Sequence, residues 1–195
     1  MVFDGILISF VVGLLRRGNL KGIAELKLKG GWIFPLLLAI QFVFFIFQNS
    51  YSILAASSHY VFMLVYIVGL VFLYINRDNP GFKWIFIGVF LNFLVMALNG
   101  GRMPVSEEAS AVLDPMYIQA LKDGLYGKHE LLTNSTKLGF LGDIIPLSDP
   151  YPRTQVISIG DVVMNIGIFF FIQHLMVKKK SDTNSNLRLK GGETT

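Results

Sequence analysis

Residues 156–177 read VISIGDVVMNIGIFFFIQHLMV, an apolar run whose charged residues are confined to Asp161 near its start. A helix crosses the hydrocarbon of a bilayer with roughly 20 mostly apolar residues, and this run supplies them. Lys178, Lys179 and Lys180 close it, as expected for an end held at a cytoplasmic interface. Working outward, four further apolar blocks occupy residues 2–15, 32–47, 60–75 and 84–98. The first is short and needs helix continued toward Leu20, with Arg16 and Arg17 reaching back to the headgroups. Asp4 precedes that block and the arginines follow it, the reverse of a secretory signal. An uncleaved helix inserted N-terminus outward is therefore expected.

The composition agrees. Of 195 residues 53% are hydrophobic and only 15% charged, whereas soluble domains carry about 25% charged residues. The net charge of +4 lies beside the apolar blocks, where it orients helices and meets headgroups; nucleic acid is not an expected partner. With no cysteine, disulfides, thiolate chemistry, Fe–S clusters and cysteine zinc sites are excluded. His59, His129 and His174 are far apart in sequence and lack zinc-site spacing, so no metal or cofactor is expected.

Lys and Arg set the orientation. Arg16, Arg17, Lys21, Lys27 and Lys29 fill the first connection, none lies in residues 49–59, and Arg77 and Lys83 occupy the third. Alternation places the first loop, the third loop and the tail inside. The expected fold is all-α: a five-helix transmembrane bundle, N-terminus out and C-terminus in, over residues 1–178. Residues 179–195 follow as a disordered basic and polar cytoplasmic tail. The fourth connection, 99–155, lies outside. Ser106-Glu107-Glu108 opens a helix there, and Val112, Leu113, Met116, Tyr117, Ala120, Leu121 and Leu125 recur at helical spacing. One amphipathic helix of about five turns is expected between spans four and five.

Candidate binding residues gather at the outer face: Asn99, Arg102, Asp143, Ser158, Asp161 and Asn165. In Asn99-Gly100-Gly101-Arg102-Met103-Pro104 the glycines supply a left-handed helix stop, and Arg102 beside free N–H groups could hold an anion. Ser158-Ile159-Gly160-Asp161 has the spacing of a capping box, and Asn165 follows Asp161 one turn deeper. An acid at that depth needs a partner or water, and Arg102 is expected to pair with Asp161 or Asp143. No nucleotide-binding loop or nucleophile elbow is present, and no catalytic residue is assigned.

The segments Asn99-Gly100-Gly101-Arg102-Met103-Pro104, Leu141-Gly142-Asp143-Ile144-Ile145-Pro146 and Ser158-Ile159-Gly160-Asp161-Val162 resemble a bacterial family of small multi-spanning membrane proteins, a domain of unknown function. The resemblance covers the chain to about Val177. It implies a bacterial inner-membrane location and transfers no catalytic residue. The leading functional expectation is a non-enzymatic accessory, assembly or sensing component with the bilayer and a membrane protein as partners. A transporter or channel subunit built around Asp161 is the alternative, and a membrane-embedded enzyme the third.

Overall fold

The computed structural model describes residues 2–47, 52–124 and 127–177. The expected tail lies outside the described residues. Five apolar helices form the bundle: α1 (Val2–Leu15), α3 (Ile33–Phe47), α4 (Ser52–Ile75), α5 (Phe82–Leu98) and α8 (Ile159–Met176). Two segments, Ser57–Ile75 of α4 and Ile159–Met176, are long and apolar enough to cross a membrane. The apolar stretches of α1, α3 and α5 are shorter. Helix α8 packs between α5 and α1, α5 meets α4, and α4 meets α3.

Glycines explain why α5 and α8 pack most closely. Gly81 and Gly88, and likewise Gly160 and Gly167, stand a heptad apart, a spacing that nearly repeats along one helix face. A Cβ on Gly88 would meet the Gly160 carbonyl, and one on Gly167 would meet the backbone of Gly81 and Ile85. Small residues let the two backbones approach this closely. Gly81 is needed twice over, since it also holds φ at 87°. On the α1 side, Gln173 Nε2 donates to the Ser9 carbonyl at 2.7 Å, and Arg16 Nη1 donates to Gln173 Oε1 at 2.9 Å. The one-turn helix α2 (Lys21–Ala24) lies against the same end of α8, with Gly22 buried on Leu175.

The connection after α5 corrects the all-α expectation. It holds a four-stranded mixed sheet in the order β2-β1-β3-β4, from β1 (Met103–Val105), β2 (His129–Leu131), β3 (Asp143–Leu147) and β4 (Gln155–Ser158). β1 runs parallel to β2 and β3, and β3 runs antiparallel to β4. The expected long amphipathic helix is also corrected. It is two short helices, α6 (Glu107–Ser110) and α7 (Pro115–Lys122). Proline at the first position of α7 suits a helix start but not a helix interior. Asp114 caps the new start by accepting from Met116 N at 2.8 Å. Leu125 lies outside the described residues. The rest of the connection, with Pro146, Pro150 and Pro152, carries β3 and β4.

The sheet needs no linker to reach the bundle. β1 begins a few residues beyond α5, and β4 ends at Ser158, where α8 begins. Met103 and Leu141 pack with Phe62, Val95 and Met96, so sheet and helices share one apolar core. Gly88→Ala should lower thermal stability in detergent by about 1–3 kcal/mol through overpacking. Gly69→Ala, where a methyl meets nothing within 4 Å, should stay within about 0.5 kcal/mol of the parent. Equal melting temperatures for the two variants would contradict the close contact.

Candidate functional site

Where the sheet meets α4, α5 and α8, polar side chains are buried together. Ser158 ends β4 and caps α8, and both halves of a capping box are present: Asp161 N donates to Ser158 Oγ at 3.0 Å, and Ser158 N donates to Asp161 Oδ2 at 3.3 Å. Asn92, buried on α5, links both partners. Its Nδ2 donates to Asp161 Oδ1 at 3.0 Å, while its Oδ1 accepts from Ser158 Oγ at 2.8 Å. Gly160 allows this, because a Cβ there would strike the Asn92 amide. Asp161 thus has a donor on each carboxylate oxygen and sits in the first turn of α8, where the helix dipole favours an anion. Asn165 Nδ2 donates to the Asp161 carbonyl at 2.8 Å, and its buried Oδ1 lies against Gly5 of α1.

Beside this hub lie Lys128, His129 and Asp143. Asp143 opens β3 with 7% of its surface exposed, and its Oδ2 stands 3.6 Å from His129 Nε2. Its Oδ1 has no hydrogen-bond partner among the described residues. Burial, and then repulsion from Asp161, push the Asp143 carboxyl up to about 7, against the opposing pull of Lys128. Desolvation and the Lys128 charge lower the His129 imidazole to about 3. Interaction with Tyr66 of α4, and behind it with Asp143 and Asp161, raises the Lys128 ammonium against its own desolvation. At neutral pH the group therefore holds a charged lysine, a neutral histidine and, in Asp143, a carboxyl that titrates near 7.

Of the six residues singled out by sequence, Asp143, Ser158, Asp161 and Asn165 fall in or beside this cluster, and two do not. Asn99 Nδ2 donates to the carbonyls of Val95 and Lys137, and Lys137 N donates to Asn99 Oδ1 at 2.9 Å, so Asn99 ties the end of α5 to a loop. Arg102 faces Glu130, whose carboxyl burial raises and Arg102 lowers. The expected pairing of Arg102 with Asp161 or Asp143 is thus replaced by Lys128 beside the two acids. The Gly101 N–H is not open to an anion either, since it donates to Met96 O at 2.8 Å in a helix-closing bond. Tyr66, Lys128 and His129 had no sequence signal beyond an adjacent base and imidazole; strand pairing puts Lys128 and His129 beside Asp143, and α4 brings Tyr66 to Lys128.

A helix bundle roofed by a small mixed sheet, with charged groups buried where the two meet, is the class of protein these features define. The chain belongs to DUF5317, a family of unknown function whose model matches residues 25–173. A Thermotoga maritima protein described as uncharacterized is similar to it, 34% identical over 171 residues, covering 88% of this chain and 89% of the relative. No solved structure matches.

Two outcomes check the site. Asn92→Leu leaves Ser158 Oγ and Asp161 Oδ1 each short of a partner and should cost about 1–3 kcal/mol per orphaned group in thermal unfolding. Arg102→Glu should be rescued by Glu130→Arg and not by charge reversal at Asp143 or Asp161, with a swing of about 0–1 kcal/mol for so open a pair. Rescue through Asp143 or Asp161 would overturn the assignment.

Proposed function

We propose that the chain is a multi-pass protein of a bacterial inner membrane. In this reading α1, α3, α4, α5 and α8 are five crossings with the N-terminus outside, and the sheet is an extracytoplasmic cap. Its work is that of a non-enzymatic accessory, assembly or sensing component, in which events at the cap reach α5 and α8. The observation that carries the reading is the Asn92 hub: one buried amide on a helix holds both the last strand residue and the first-turn acid of α8.

Helix surfaces support the bilayer as partner. Leu7, Ile8, Val11 and Leu14 on α1, Phe34, Leu38 and Phe42 on α3, Leu64, Ile67 and Val71 on α4, and Ile166 and Phe170 on α8 are exposed. Only 28% of each of the two long apolar segments is buried, which fits helices facing lipid better than core helices of a soluble domain. Trp32 and Trp84 are exposed at the ends that carry Lys27, Lys29 and Lys83, where indoles favour an interface. Asp161, on which a transport reading turns, has both carboxylate oxygens hydrogen-bonded, and no observation favours transport or catalysis.

The native chain lacks cysteine, so single-cysteine labelling tests the topology directly. Ser135→Cys should react with an impermeant maleimide in intact cells, and Asp78→Cys only after lysis. The reverse pattern would refute the orientation. For the functional half, crosslinking in native membranes followed by mild solubilisation should recover a membrane-protein partner. A lone monomer at every detergent and crosslinker tried would count against an accessory or assembly role.

A further inference from the structure

The hub accounts for Asp161 but leaves Asp143 with a buried carboxylate oxygen that no described group donates to. We propose that His129 and Asp143 together form a proton-binding site on the outer side, holding one proton between them and exchanging it without undocking the cap. The proposal rests on the reading of the sheet as a cap docked on the spans.

Geometry comes first. β2 and β3 flank β1 on opposite sides, yet His129 Nε2 and Asp143 Oδ2 come within 3.6 Å. Asp143 is more than nine-tenths buried, while the His129 side chain keeps 26% of its surface open and offers the proton a route to water. The charged and titratable groups facing the pair are Lys128 next to β2, Asp161 on α8 and Tyr66 on α4. Helix α6, packed on β3, presents Glu107 and Glu108 to solvent, with Glu107 paired to Lys122 at 2.8 Å. One proton leaves the His129–Asp143 pair neutral, and its loss leaves an anion, a costly state in a desolvated place. Neutral imidazole with carboxylic acid and imidazolium with carboxylate are two arrangements of that same proton, so the pair titrates as a unit.

The two groups bias docking in opposite directions. Asp143 goes from 3.8 when undocked to about 7 when docked, so alone it weakens docking as pH rises across that window. His129 goes from 6.5 to about 3, so alone it weakens docking as pH falls across that one. Over the shared range of about pH 4 to 6.5 the two slopes offset. Docking then stays level up to about pH 6.5, and the docked pair gives up its proton just above, near pH 7.

The full chain in lipid nanodiscs, followed by hydrogen exchange of the β1 and β3 amides, tests this. After correction for intrinsic exchange, cap opening in the parent should be nearly level from about pH 4 to 6.5. Relative to the parent, His129→Gln should make opening increase about tenfold per pH unit as pH rises. Asp143→Asn should make it increase about tenfold per unit as pH falls. Slopes of the same sign, or parallel profiles in all three proteins, would overturn the proposal. An unprotected cap at every pH in the parent would instead refute the docked cap. Should a variant fail to fold, infrared titration of the parent decides: one protonated-carboxyl band disappearing near pH 7 supports the site, and no titrating carboxyl there refutes it.

Discussion

Everything at the sheet end of the bundle depends on how closely α5 and α8 approach. Gly88 and Gly160 bring their backbones into contact, and only then does the Asn92 amide reach Ser158 Oγ and Asp161 Oδ1 together. Backbone packing and a satisfied polar bridge set the distance between the two helices. Because Ser158 is also the last residue of β4, the same contact orients the sheet. The core of Phe62, Val95, Met96, Met103 and Leu141 then fills the space beneath it.

Charge at this junction is managed by inequality between two acids. Asp161 has a donor for each carboxylate oxygen and sits in the first turn of α8. Asp143 has burial, the neighbouring Asp161 and an oxygen to which no described group donates, which favour its acid form. Two carboxylates in one polar cluster are thus held differently, and Lys128 opposes the upward push on Asp143. The difference comes from partners and position, not from residue type.

Much of this was legible in sequence, and the limits have physical reasons. Long apolar runs announce helices, so blocks ending at Leu15, Phe47, Ile75 and Leu98 match helix ends. The Ser158–Asp161 capping box is a local spacing and could be read directly. The sheet could not be, because β1 and β2 are three residues each, too short for alternation to emerge. The periodic stretch around Met116 read as one helix because apolar spacing survives the break, and Pro115 with its Asp114 cap outweighed it. Arg102 was the expected partner because it follows α5 at the end where α8 begins. Lys128 reaches the acids only because β2 pairs with β1 at Met103↔His129, a long-range contact with no local signature.

A double-mutant cycle between Asn92→Ala and Ser158→Ala, read as unfolding free energy of the full chain, is the most direct test of the junction. If one amide joins helix and sheet, the two changes should couple by at least about 0.5 kcal/mol. Strict additivity would mean that the cap and α5 are not held together through Asn92.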